Sequence, residues 1–150
     1  MALSFAAYRN QRRRTSLELA RSLHADLTSG HVQAARDVLG TLVRYREQAS
    51  DLVAARSAYF TLLWCFERIW AGREVIVRDE GEKSPSCRFL DEMIHWHVRN
   101  WARDLPMIKE AIQEALGTVH DEDALHGFRQ LRNKVLTGEE LTEVRLSSQL

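Results

Sequence analysis

Residues 51–72, DLVAARSAYFTLLWCFERIWAG, are the most apolar stretch of the chain, and their reading decides the fold class. Tyr59, Leu62, Leu63, Phe66 and Trp70 recur at the i, i+3, i+4, i+7, i+11 spacing of one α-helical face. Phe60 and Trp64 widen the apolar arc on one side, Cys65 and Ile69 on the other. Only Ser57, Thr61 and Arg68 form a polar strip, and a helix this apolar is expected to be surrounded by other elements. It is too polar to cross a bilayer, because Arg56, Glu67 and Arg68 interrupt a span that needs about 20 mostly uncharged residues. Asp51 suits the N-cap, since its carboxylate can accept first-turn N–H groups. Gly72 suits the C-terminal stop, being free to adopt positive φ.

Working outward, the 150 residues are 45% hydrophobic and 28% charged, which describes one ordinary globular domain with a real core. Two prolines, seven glycines and no alternating β-branched runs point to an all-α fold, a single helical bundle of about six to seven helices. The formal net charge is zero, which argues against a dedicated non-specific nucleic-acid binder and leaves only local patches for such a role. Leu3–Tyr8 is a short apolar run with no cleavage pattern, and no transmembrane segment is visible, so a cytoplasmic location is expected. Cys65 and Cys87 have neither C-x-x-C nor ligand spacing and read as free thiols of a reducing compartment.

Around the central helix, residues 3–27 read as a first helix with Leu19, Ala20, Leu23 and Leu27 inward, its N-terminal part free to project. Residues 31–46 form a second, with Val32, Ala35, Leu39, Leu42 and Val43 on one face. Residues 73–85, REVIVRDEGEKSP, are charged and turn-prone and read as the main loop. Ser86 then caps a helix to about Leu105, with a stripe of Leu90, Met93, Ile94, His97 and Trp101. Pro106 suits the first turn of a new helix that stops at Gly117. Asp121 or Asp123 caps a helix through Val135, with Ala124, Phe128, Leu131 and Val135 inward. Thr137 and Glu140 match the T-x-x-E capping box of a short last helix, and residues 147–150 are expected to fray.

Few residues suggest chemistry. Glu67 projects into the apolar arc between Leu63 and Phe60, where a carboxylate must be paired, hydrogen-bonded or protonated. His97 occupies the middle of an apolar stripe, where an imidazole needs hydrogen-bond partners. The two most aromatic helices carry these two residues, so Glu67 and His97 are expected to share a buried polar site. That site would either satisfy the core or perform acid–base work. Four tryptophans, Trp64, Trp70, Trp96 and Trp101, mark the same helices and read first as core, with an exposed aromatic patch as the alternative. Trp64 and Trp96 lie off the stripe centres and are the candidates for an exposed, partner-binding pair. Arg12, Arg13 and Arg14 form a basic run that reads as a solvated helix end or as a phosphate or anionic-lipid contact. Glu92-x-x-His95 has the spacing of half a di-metal site, but no second such pair exists and both residues lie on the polar side of their helix. No phosphate-binding Gly-rich loop, nucleophile elbow or H-E-x-x-H is present, and no metal or cofactor is expected.

Two resemblances extend this reading. YFTLLWCFERIWAGREVI (59–76) and RFLDEMIHWHVRNWARDLPMIKEAI (88–112) resemble an uncharacterised family of helical bacterial proteins. Its members often carry an N-terminal membrane anchor ahead of a small helical domain. The resemblance spans residues 12–115 and would place Glu67 at the family's central Glu. It assigns no activity, and it implies at most a membrane-peripheral role for a chain without a span. FRQLRNKVLTG (128–138) is similar to the R-N-x-x-x-H motif of HEPN-type RNases, small helical domains that usually dimerise. Arg132 and Asn133 match, whereas Thr137 stands at the catalytic His position.

The expected function is therefore a non-enzymatic protein-interaction or regulatory helical module that binds another protein or itself. The alternative is a HEPN-like RNA-binding or degenerate RNase domain using Arg132, Asn133 and the Arg12–Arg14 run.

Overall fold

The central helix does not end at Gly72. In the computed structural model, which describes residues 2–45 and 51–147, it continues for two more turns to Glu80. The described residues form six helices and no strand: α1 (Ala2–Thr28), α2 (Gly30–Arg44), α3 (Leu52–Glu80), α4 (Pro85–Leu116), α5 (Leu125–Val135) and α6 (Gly138–Ser147). No helix of the described residues is long and apolar enough to cross a membrane. The tail expected to fray falls mostly on residues 148–150, outside the described residues.

α3 starts as expected, with the Asp51 carboxylate accepting from the Ala54 N–H at 2.8 Å. Its continuation overturns the long loop read at 73–85. Ile69, Arg73 and Ile76 carry the buried period onward, and Arg73 at a core position hid that period from a hydrophobicity pattern. Arg73 is tolerated there because it makes a bidentate pair with Asp91 of α4, at 2.8 and 2.9 Å, with its guanidinium 5.9 Å from the Trp70 ring centroid. Gly72, expected as a stop, is instead a packing residue. A Cβ there would lie 2.5 Å from Leu23 Cδ1, so its bare backbone lets α1 approach.

The real connection between α3 and α4 is only Gly81–Ser84. Ser84, not Ser86, caps α4 by accepting from the Cys87 N–H at 3.2 Å, with Pro85 at the first helical position. Ser86 donates instead to Glu80. α4 then runs unbroken through Pro106, so two expected helices are one and the count is six. An internal proline costs about 3 kcal/mol, but here Ala102 and Leu105 before it and Ile108 and Ile112 after it are all buried, and that packing holds the helix together.

The arrangement follows from the pairings. α3 and α4 form a long antiparallel hairpin clasped by Arg73–Asp91. α1 and α2 lie end to end along α3, antiparallel to it, with Arg12 against Asp79, Leu23 against Gly72 and His31 near Trp64. α5 runs parallel to α3 on its other flank, from Gly127 at Glu67 to Lys134 at Glu82. α6 crosses α4 through His95–Glu140 and Arg99–Glu143, and its expected capping box is formed between Thr137 and Glu140. The core lies between the hairpin and these flanking helices, built from Leu62, Phe66, Ile69, Leu90, Ile94 and Ile108 among others. Met93, expected inside, is on the surface, and Val98 takes the inward place.

Candidate functional site

Among the described residues, α3 is covered on three sides and open on the fourth. Its buried arc contacts α1 and α2, α4 and α5. The opposite face carries Val53, Ser57 and Trp64, with Phe60 at one edge and Thr61 and Arg68 at the other. Trp64 is 52% exposed and Val53 61%. Two adjoining shallow grooves, about 420 and 450 Å³, share Thr61 and Trp64 and continue to His31 and Ala71. The expectation that α3 would be surrounded therefore holds for three sides only. The apolar arc continued past the buried width because Trp64 faces outward and Phe60 is only half-buried at its edge. Arg56 and Arg68 flank the stripe, and neither forms an ion pair among the described residues. Cys65 at the groove's base is buried, and that burial raises its thiol pKa and keeps it un-ionised. Cys87 is buried too, and burial pushes its thiol up to about 11.

Trp96 is 63% exposed on α4, edge-on to His97 with centroids 5.0 Å apart. Trp96 lines neither of the grooves beside Trp64, so the two do not make one patch.

Glu67 and His97 do not meet. Glu67, about a third exposed, accepts a hydrogen bond from the Gly127 backbone N–H and faces His126 Nδ1 at 3.4 Å. Gly127 is in the first turn of α5, and the N-cap residue of that helix, Ala124, has no side chain able to cap. Glu67 thus caps α5 from a neighbouring helix, satisfying an orphan N–H and the positive end of the helix dipole. His97 turns the other way. It is 9% exposed, its ring lies 6.1 Å from that of His24 on α1, and its buried Nδ1 has no hydrogen-bond partner among the described residues. Burial first, then the charges of Arg36 and His24, holds its pKa down to about 4. The helices carrying the two residues do pack together, but each residue projects toward a different third helix.

The arginine run is split by its surroundings. Arg12 pairs with Asp79 at 3.2 Å and lies 5.6 Å over Tyr8, while Arg13 and Arg14 are exposed. An open groove of about 730 Å³ beside it, lined by Arg9, Arg12 and Arg13, also carries Asp79, Glu80 and Glu82, so its charge is mixed. Glu92 is exposed, and His95 is 3.0 Å from Glu140.

A second concave site was not foreseen. Asp121, expected as a helix cap, is instead 2% exposed and accepts from the Tyr59 hydroxyl at 2.5 Å and from Lys109 Nζ at 2.8 Å. Burial, reinforced by the hydrogen bond to Asp121, drives the Tyr59 pKa far up, so the phenol stays a donor. Beside this network lies a pocket of about 220 Å³ between α4 and α5. Leu105, Pro106 and Phe128 are among its apolar walls, and Lys109, Arg129 and Arg132 bring charge. Arg132 bonds only the Asn133 side chain, at 3.4 Å, and Arg129 has no ion-pair partner among the described residues. Burial lowers the Arg132 pKa, and Arg145 and Arg129 push it the same way. Lys109 and Arg129 are twenty residues apart on different helices, so no local motif could have announced their convergence. The chain matches no family model, no curated protein and no solved structure.

Proposed function

We propose that the protein is a helix-docking interaction module whose open α3 face takes up an acidic amphipathic helix of a partner protein. The observation that carries this is the stripe Val53–Phe60–Trp64, uncovered among the described residues and flanked by Arg56 and Arg68, neither of them ion-paired among those residues, while the groove's one carboxylate, Glu67, is already held by the Gly127 N–H. Trp is favoured in binding hot spots, because a large, rigid, amphipathic ring buries much area at small entropic cost. From Val53 to Ala71 the stripe is about 27 Å long, enough for five turns of a partner helix.

Charge decides between a partner and a second copy. An antiparallel pairing that sets Trp64 against Phe60 of a second copy also sets Arg56 against its Arg68. That like-charge contact opposes self-association, whereas a helix with acidic residues flanking its apolar stripe neutralises both arginines. Trp96, which lines neither groove, takes no part.

The test compares pull-downs from the native host by the wild type, Trp64→Ala, Arg56→Glu/Arg68→Glu and, as a control outside the grooves, Trp96→Ala. A stoichiometric partner with an acidic amphipathic helix, lost in the first two variants and kept in the third, supports the proposal. A partner held equally well by Trp64→Ala refutes it, as does a dimer of the purified protein that Trp64→Ala dissociates.

One observation favours a second reading, the HEPN-like RNA-binding domain: the basic cluster at Arg129 and Arg132, neither of them ion-paired among the described residues. Thr137 is engaged in its capping box with Glu140, so this reading is of binding without the RNase step. RNA binding that falls steeply with added salt supports it, and no binding at low salt removes it.

A further inference from the structure

We propose that the pocket between α4 and α5 is a binding site for a small phosphate monoester, with Arg129 and Arg132 holding the phosphate and the apolar wall holding the organic part. Charge points to the ligand class. Lys109, Arg129 and Arg132 contribute three positive charges and Asp121 one negative, leaving two positive charges at the pocket. A phosphate monoester carries about −1.5 to −2 at neutral pH and is matched by that excess, whereas a carboxylate supplies only half of it.

The donors are also available, since the bonds from Arg132 Nε and Nη2 to Asn133 Oδ1 are long, at 3.4 Å, and exposed. Asp121 is already satisfied by Tyr59 and Lys109 and does not reach out to either arginine. Arg129 is exposed and Arg132 half-buried at the mouth, with Arg145 and Arg129 both adding like charge against Arg132, and an anion there relieves that repulsion while taking planar, forked N–H donors.

Size and lining set the rest of the ligand. A pocket of about 220 Å³ has room for a phosphate and one small ring or short chain. Leu105, Pro106 and Phe128 offer that group an apolar surface, with the Phe128 ring held in place by Phe66 at a centroid distance of 4.9 Å. The same two arginines carry the RNA reading, and the RNA arm of the experiment below tells the two ligands apart. The pocket is independent of the α3 docking face, since Trp64 does not line it.

The experiment is calorimetric titration of the full-length protein with phenyl phosphate, with inorganic phosphate, and with single-stranded RNA. The expected result is one phenyl phosphate per chain, bound roughly tenfold or more tighter than inorganic phosphate because the ring is buried. Arg132→Gln and Arg129→Gln should each weaken phenyl phosphate by about tenfold or more, the loss of a charge-assisted bond. Arg88→Gln, which removes the same charge from an exposed site elsewhere on α4, should leave it unchanged. Each variant is checked by circular dichroism, and a folded Arg129→Gln suffices if Arg132→Gln does not fold. Phenyl phosphate binding no tighter than inorganic phosphate, or insensitive to both arginine variants, overturns the proposal. So does RNA binding that needs Arg132 while phenyl phosphate does not bind.

Discussion

Replacing Gly127 by alanine tests the joint between α3 and α5. Gly127 lies in the first turn of α5 against Glu67 of α3, and a Cβ added there would be 2.6 Å from Glu67 Cα and 3.0 Å from Glu67 N. Ordinary carbon–carbon contact is at roughly 3.5–4.0 Å, so the helices must part by about 1 Å. The Glu67 Oε2, 2.5 Å from the added Cβ, can swing aside, but the two backbone atoms cannot, so no rotamer change relieves the clash. Overpacking of this kind costs about 1–3 kcal/mol. Moving α5 also draws the Gly127 N–H away from the Glu67 carboxylate, which caps that helix, and loss of a cap costs about 1 kcal/mol. Against this, alanine is better than glycine within a helix by up to about 1 kcal/mol. The expected net loss is about 1–3 kcal/mol, or roughly 2–12 °C in melting temperature for a chain of this size. Gly40, within α2, is the control, because nothing lies within 4 Å of its added Cβ. Gly40→Ala should leave stability unchanged or raise it by up to about 1 kcal/mol. Urea and thermal unfolding, followed by far-ultraviolet circular dichroism, measure both. Because the clash is with backbone, adding Glu67→Ala to Gly127→Ala should not restore stability. A Gly127→Ala protein that melts at or above the wild type, or one rescued by Glu67→Ala, would show that the crossing is not set by the missing side chain.

Further expectations concern the two buried polar groups. His97 is held at about pKa 4 in the fold against about 6.5 in the unfolded chain, so between these values the unfolded chain binds the extra proton. Its contribution is whole above about pH 6.5 and is lost as pH falls toward 4, by up to roughly 3 kcal/mol. Urea unfolding at pH 7, 6 and 5 should therefore show a decline that His97→Gln flattens, and parallel declines in the two proteins would contradict it. Tyr59→Phe removes the hydroxyl that donates to buried Asp121 and leaves only Lys109, so stability should fall by about 1–3 kcal/mol without change in helix content. A loss below about 0.5 kcal/mol, within the range of an ordinary surface change, would mean that Lys109 alone satisfies the carboxylate.

Much of the fold was legible because helix signals are local. The Asp51 cap, the Thr137–Glu140 box and the inward stripes of α1, α2 and α5 depend on residues within a turn or two of one another, and each is present in the structure. The misreadings share one cause. Gly72 and Pro106 have the local chemistry of helix ends, and Arg73 that of a loop, yet all three are helical because a partner far along the chain stabilises them or packs beside them. Leu23 needs the bare surface of Gly72, Asp91 neutralises Arg73, and the buried residues on both sides of Pro106 outweigh its lost N–H.

The candidate sites divide the same way. That Trp64 and Trp96 lie off their stripe centres, and so face solvent, was written in helical periodicity alone. That the Trp64 face is left open while the other sides of α3 are covered was not, because periodicity gives a residue's direction on its helix and not what stands opposite. Glu67 was legible as a carboxylate in need of a partner, but whether the partner was His97 or the first turn of α5 depended on which helix lay across from it. The phosphate-sized pocket, with Lys109, Arg129 and Arg132 brought to one mouth, exists only in three dimensions. By itself, then, the sequence determined an all-α chain, its main caps and most of its inward faces, since these follow from interactions three or four residues apart. The tertiary structure alone decided where helices pass through apparent breaks, which polar groups pair and where charges converge, since each of these is set by contacts tens of residues apart.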